Sequence, residues 1–201
     1  MLNVALIVGS TRPNRFADVP AKWIATGAES HTDFQLDILD LREADLPFFN
    51  EPASPLYTDG VFSEPAAEAW RGKIGNYDAY IATVAEYNHG AAAVLKNAFD
   101  SAYYEWNRKP IAFVGYGGLG GARAIEQMRG VVIELQMAPL KYEVNISLEP
   151  FLGVLQEGKT LDDYPYLAQA RAALFDDLVW WGLALKSARE CGVSDKPQAA
   201  K

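Results

Sequence analysis

The chain has 201 residues, of which 50% are apolar and 22% charged, with a formal net charge of −8; this is enough apolar material for a sizeable core in one domain, 1–201, and too much for a disordered chain. The acidic balance excludes broad attraction to nucleic acid or to an anionic membrane, so any phosphate must be gripped by a local arrangement. One cysteine, Cys191, and two well-separated histidines exclude an internal disulfide, a thiolate metal cluster and an HExxH site, so no metal is expected and a reducing cytoplasm suits the chain best.

The opening stretch "MLNVALIVGS" has no basic leading region and is too short to span a bilayer. It reads as a buried strand, with neither signal peptide nor membrane insertion expected. Short apolar or β-branched runs recur at "NVALIVG", "FQLDILDL", "DAYIATVA", "KPIAFVGYG" and "PLKYEVNIS", with helix-compatible segments between them, which is the alternation of an α/β fold. Several runs are apolar at successive positions, as in parallel strands covered on both faces, so a doubly wound sheet follows.

A first helix is predicted over Ala21–Glu29, with Pro20 tolerated in its first turn. The stretch "LPFFNEPASPLYTDGVFSEP" reads as a long irregular binding loop, followed by a helix from about Glu64 to Ile74. Ala92, Leu95, Phe99, Ala102 and Trp106 recur at helical spacing and predict a third helix packed on the sheet. A fourth runs through "RAIEQMRGVVIEL" after the glycines near Gly120, and a last one from about Leu161 to Arg189. On that last helix Phe175, Val179, Trp180 and Leu183 widen the stripe of Leu167, Leu174, Leu178 and Trp181 beyond what one sheet face needs, which points to a homodimer or homotetramer. The tail "SDKPQAAK" reads as frayed.

In an open parallel sheet, ligands bind beyond the carboxyl ends of the strands. Three loops are predicted at that edge. The first, "GSTRPNRFADVP", sets Gly9 for a tight exit, the hydroxyls of Ser10 and Thr11, and the cations Arg12 and Arg15 ahead of a helix whose first N–H groups lack partners. Such a loop fits a phosphate monoester held by charge-assisted hydrogen bonds, and equally a solvated turn paired with surface carboxylates. Neither a P-loop signature nor a G-x-G-x-x-G stands here, so a nucleoside triphosphate is not indicated. The second loop is "EYNHG", Glu86–Gly90, and the third "YGGLGGARA", Tyr116–Ala124, where glycines allow a flat ring to approach the backbone.

"GSTRPNR", "AEYNHG…VLKNAFD" and "VGYGGLGGARA", in this order and at these separations, resemble the NADPH-dependent FMN reductase family over roughly the first 145 residues. The resemblance implies a three-layer, flavodoxin-like fold with a five-stranded parallel sheet in the order 2-1-3-4-5. It implies FMN as bound cofactor, with its phosphate at Ser10, Arg12 and Arg15 beside Asn14 and Phe16. The ring would lie along Glu86, Tyr87, Asn88 and His89 and be closed by Gly117, Gly118 and Gly120. It further implies NADPH or NADH as co-substrate and a quinone, azo, nitro, metal-oxyanion or free flavin acceptor. Ala85 stands where the family often has proline, which makes for a less rigid loop.

Gly115, Gly117 and Gly120 also satisfy G-x-G-x-x-G, but no acidic residue follows at the end of a next strand, and a flavin wall is preferred. His89 reads as bonding its own loop and His31 as solvated. No catalytic residue is expected, because hydride chemistry resides in the flavin. The expected reaction is ping-pong; a flavodoxin-type carrier that does not turn over NAD(P)H would use the same three loops, and a flavin-free phosphate-binding module only the first. The stretch "AYYEWNRKP" and the Pro-rich loop are further candidate pocket walls, with ordinary packing the preferred reading of Tyr103 and Trp106.

Overall fold

The computed structural model describes residues 1–58 and 62–192, so the tail lies outside the described residues. Its strands are β1 (Leu2–Val8), β2 (Phe34–Asp40), β3 (Ala79–Tyr87), β4 (Gly90–Ala91), β5 (Pro110–Tyr116), β6 (Ala138–Pro139) and β7 (Val144–Ile146). The helices are α1 (Asp18–Ala28), α2 (Leu41–Ala44), α3 (Pro65–Ile74), α4 (Ala93–Asp100), α5 (Ala122–Glu134), α6 (Leu148–Gln156) and α7 (Pro165–Glu190).

The parallel ladder runs β2-β1-β3-β5, and both β6 and β7 lie alongside β5. This is the expected flavodoxin-like order, with the fifth strand interrupted. Pro139 has no N–H to continue the ladder, and Lys141 and Tyr142 turn out to solvent before pairing resumes at Val144. Register aligns the carboxyl ends: Val8 pairs with Thr83, Thr83 with Val114 and Ala85 with Tyr116, so the loops after β1, β3 and β5 emerge along one edge.

β1 shows why its run is unbroken. Leu2, Val4, Leu6 and Val8 face α1 and α7 (Trp23, Ile24, Leu174, Phe175, Leu178), whereas Ala5 and Ile7 face α3, α4 and α5 (Trp70, Leu95, Phe99, Met128). From Val4 to Val8 both faces are dry, and every position is apolar; Asn3, near the start of the strand, is exposed. Gly182 lets α7 approach β1, since a Cβ there would stand 2.4 Å from Leu2 Cδ1.

Several elements differ from expectation. α1 begins at Asp18, three residues early, with Pro20 within its first turn. α4 stops at Asp100, yet Ala102 and Trp106 remain fully buried, so the stripe marks core beyond the helix that carries it. α6 was not foreseen: its stretch carries Pro150 and Gly153, but Pro150 falls in the first turn, where no N–H is required, and Gly153 accommodates the Tyr164 hydroxyl, which a Cβ would meet at 1.9 Å. α7 starts at Pro165, after a short turn at Leu161–Asp163 closed by the reciprocal Thr160/Asp163 box. His31, expected to be solvated, is half-buried, edge-on to Phe175 at 4.9 Å and near Phe34 at 5.2 Å.

Candidate functional site

At Gly9 the chain leaves β1 pressed against β3. Its amide donates to Thr83 Oγ1 at 2.9 Å, and a Cβ would stand 2.2 Å from Thr83 O. Ser10 is fully buried, sharing a 2.9 Å hydrogen bond between its hydroxyl and Tyr87 Oη. Asn14 takes the left-handed conformation (φ 52°) that reverses the loop toward α1. Among the described residues, the backbone N–H groups of Thr11, Arg12, Asn14 and Phe16 meet no internal acceptor, while a turn at Pro13–Asn14 brings the Arg15 amide toward Arg12 O. The loop is therefore a row of unspent donors ahead of a helix.

The two arginines have opposite environments. Arg12 is exposed, 5.4 Å from the centre of the Tyr87 ring, and pairs with no carboxylate among the described residues. Arg15 is buried and fully committed. Its Nε and Nη2 donate to Asp18 Oδ1 at 2.8 and 2.5 Å, its Nη1 to Asp40 Oδ1 at 2.7 Å and to Ser10 O, and its Nη2 to Asp40 Oδ2. Five N–H groups thus meet five acceptor contacts, so for Arg15 the structure shows the pairing with carboxylates that the sequence left open beside phosphate binding. The bond to Asp40 chiefly raises the Arg15 pKa further, so the group stays charged throughout.

β3 ends in a two-residue hairpin. Asn88 (φ 51°) and His89 (φ 71°) are both left-handed, and Tyr87 pairs with Gly90 and Glu86 with Ala91. Ala85 is buried and paired within β3, and the hairpin bonds of Glu86 and Tyr87 hold the segment that was expected to be looser. Glu86 is buried, with 4% of its side chain exposed; Oε1 accepts from Arg123 Nε at 2.7 Å and from Nη2, while Oε2 has no partner. Arg123 also meets His89 Nε2 at 2.8 Å, and Gln127 Nε2 donates to His89 O at 3.1 Å. His89 thus bonds to α5, and not within its own loop. Arg123 was not singled out in the sequence. The signal was available, since a cation in the first turn of a helix opposes the dipole and calls for a local anion.

In the third loop only Gly117 (φ 145°) faces the other two, with its Cβ position 3.2 Å from Glu86 Cβ. Gly118 is exposed, and Gly120 (φ 67°) packs on Asn145. A Cβ on Gly115 would lie 2.4 Å from Gly120 O, so the G-x-G-x-x-G pattern here lets the loop fold back on its own strand.

These loops enclose a cleft of about 440 Å³. Of the predicted residues it gathers Arg12, Asn14, Arg15, Phe16, Glu86, Tyr87 and Gly117, with Ser10 bonded to Tyr87; Asn88, His89, Gly118 and Gly120 do not line it. It adds Val19, Tyr116, Phe151 and Leu155. Phe151 and Leu155 come from the unforeseen α6, and Phe151 stacks 4.4 Å from Phe16. Burial pushes the Tyr116 phenol far above its usual range, with the neighbouring Tyr87 adding to this, and its Oη lacks a well-formed hydrogen bond. The Pro-rich loop and Tyr103–Trp106 do not line the cleft; Trp106 is core. Among the described residues, no group of three or more His, Cys, Asp or Glu side chains could hold a metal ion, and no helix is long and apolar enough to cross a membrane.

Comparison with known proteins gives a consistent result. Residues 2–150 match the family described as NADPH-dependent FMN reductase. The chain is 33% identical over 138 residues to an NAD(P)H-dependent FMN reductase of Schizosaccharomyces pombe, covering 68% of this chain and 69% of that one. It is 31% identical over 142 residues to an NADPH:quinone oxidoreductase of Arabidopsis thaliana, with coverage of 68% and 69%. In structure it resembles FerB, a flavoenzyme NAD(P)H:(acceptor) oxidoreductase from Paracoccus denitrificans, with a TM-score of 0.71 at 23% identity, covering 92% of this chain and 98% of that one. A flavodoxin from Pseudomonas aeruginosa matches at a TM-score of 0.50 and 18% identity, over 86% and 99%, in keeping with the sheet order. With the three loop motifs on one cleft and most of its length matched, the chain belongs to the NADPH-dependent FMN reductase family.

Proposed function

We propose that this enzyme, an NAD(P)H-dependent oxidoreductase of the FMN and quinone reductase type, holds FMN in the cleft and passes hydride from NADPH or NADH to a small acceptor. Quinones, azo and nitro compounds, metal oxyanions and free flavin are the acceptor classes. The observation that carries the reading is the split character of the cleft. One end offers unspent backbone donors and the unpaired Arg12, which suit a phosphate tail; the other offers a glycine surface, aromatic walls and two unsatisfied polar atoms, Glu86 Oε2 and Tyr116 Oη, which suit the polar edge of a flat ring.

When bound, the flavin supplies the hydride-accepting and hydride-donating centre, so no side-chain acid–base pair is required. The chain's own contributions are positional. Arg12 and the loop amides bind phosphate. Arg15 fixes the loop by holding Ser10 O against Asp40 and Asp18. Glu86 offers an acceptor beside the Arg123 cation, Tyr116 keeps its proton and offers a donor, and Phe16 with Phe151 excludes water.

Arg12→Ala is expected to weaken FMN binding by about 1.5–3 kcal/mol, the range for hydrogen bonds to a charged group. Flavin-fluorescence titration measures it, and an unchanged Kd would remove Arg12 from the site. Because coenzyme and acceptor both need the open side of one cleft, they use it in turn. Initial-rate plots at several fixed acceptor concentrations should run parallel; convergence to a point would show both bound together. The exposed Trp180, Trp181 and Leu183 on the outer face of α7 support a homo-oligomer as the working form. Light scattering that returns a monomer would refute it.

A further inference from the structure

We infer that Arg42 forms a second anion subsite, beside the flavin-directed cleft, that takes the 2′-phosphate of NADPH and makes the enzyme prefer NADPH to NADH. The inference rests on the proposed reading of the cleft and specifies its coenzyme. A separate pocket of about 290 Å³ lies behind the first loop, lined by Thr11, Arg42, Asp45, Leu46 and Val94 among others. It shares no lining residue with the cleft; the first loop stands between them, with Thr11 lining the pocket and Arg12 the cleft. A dinucleotide whose reacting end enters the cleft can pass its far end over Arg12 into this pocket.

The state of the Arg42 guanidinium singles it out. Its Nη2 donates to Arg12 O, which fixes the side chain at the rim. Its carboxylate neighbour, Asp18 Oδ2, is 3.9 Å from Nη1, too far for a hydrogen bond, and Asp18 already accepts two bonds from Arg15. Arg42 therefore remains 38% exposed with most of its donors unspent, whereas Arg15 nearby has none left. A fixed guanidinium with free forked donors suits a phosphate monoester. The Thr11 hydroxyl adds a donor, and Leu46 and Val94 offer an apolar wall for a base. Asp45 is exposed on the same rim and opposes an anion there. Asn97 is occupied with Phe49 N and Pro47 O and takes no part.

The test is titration of the FMN-loaded protein with 2′,5′-ADP and with 5′-AMP, which differ in the phosphate at issue. The native protein should bind 2′,5′-ADP the more tightly. Arg42→Gln should weaken 2′,5′-ADP by about tenfold or more and leave 5′-AMP unchanged, and Asp45→Asn should tighten 2′,5′-ADP. In turnover, Arg42→Gln should lower the ratio of kcat/KM for NADPH to that for NADH by about the same factor. Equal losses for both probes, or none for either, would overturn the inference. So would a fall in FMN affinity in Arg42→Gln, which would assign the arginine to the flavin phosphate. A protein that takes up no FMN would end the parent reading, while the 2′,5′-ADP titration, which needs no flavin, would still decide this one.

Discussion

Arg15→Ala is expected to lower the free energy of unfolding by about 3 kcal/mol, the lower part of the range for orphaning one member of a buried ion pair. Only 3% of the Arg15 side chain is exposed, and 21% of that of Asp40, so their bidentate contact is largely shielded from water. Asp18 is 56% exposed, and its share of the cost is small. Without the guanidinium, Asp40 keeps only the Arg42 amide as a strong donor, and Ser10 O loses its donor. Urea unfolding measures the change; a midpoint within experimental error of the native protein would refute it.

The same pair sets an acid limit. Desolvation alone would raise the Asp40 carboxyl, but the bonds from Arg15 and from the Arg42 amide outweigh it and hold the group below its usual range. A depressed folded-state pKa gives stability that is fully present above the unfolded value, about 4, and is lost as pH falls through the folded one. The native protein should therefore weaken below about pH 4 more steeply than Arg15→Ala, which has already lost this contribution. FMN affinity should fall too, because the donor loop loses its brace. Arg12→Ala, by contrast, should reduce affinity with the unfolding midpoint nearly unchanged.

Trp106→Ala is expected to cost about 3–5 kcal/mol, as for other large-to-small core truncations. Trp106 has no exposed surface and packs 4.8 Å from Tyr80, 4.9 Å from Phe99 and 6.3 Å from Trp70, centroid to centroid. Its indole N–H donates to Phe99 O at 3.2 Å, and that of Trp70 to Ala98 O at 2.9 Å, so two indoles fasten the end of α4 where the helix stops. Truncation leaves a void among rings and frees a carbonyl. Denaturant unfolding should show the loss, while FMN affinity of the folded variant stays unchanged. A loss under 1 kcal/mol, or a selective loss of flavin, would contradict the assignment of Trp106 to the core.

The sheet and its loop edge were legible because parallel strands covered on both faces are apolar at successive positions, as in "VALIV" and in "IATVA", whose one polar residue, Thr83, spends its hydroxyl on the Gly9 amide. The cofactor-facing loops were legible as motifs, but not in detail. Which of two neighbouring arginines turns inward depends on Asp40, at the end of another strand, and on Asp18, one residue set among many surface carboxylates. Asn88 and His89 share a motif with Glu86 and Tyr87 yet sit at the tip of a reversal, because an Asn-His pair is a less familiar signal for a two-residue turn than Asn-Gly. The fourth wall of the cleft was illegible since α6 carries a proline in its first turn and a glycine further on, and both are accommodated by position and partner.

The stretch that identifies the family ends at residue 150, but the roof over one side of its sheet does not. Leu167, Leu174, Phe175 and Leu178 are buried on α7, which packs against β1, β5 and β7, with Lys186 and Arg189 clamping the far end to Asp78 at 2.9 and 3.2 Å. A gene fragment trimmed to the recognisable signature would encode a half-clad slab with oily residues laid bare. Chimeras spliced at that boundary would need to carry a matching C-terminal helix, so exchange between homologues is workable only in units larger than the motif that reveals them.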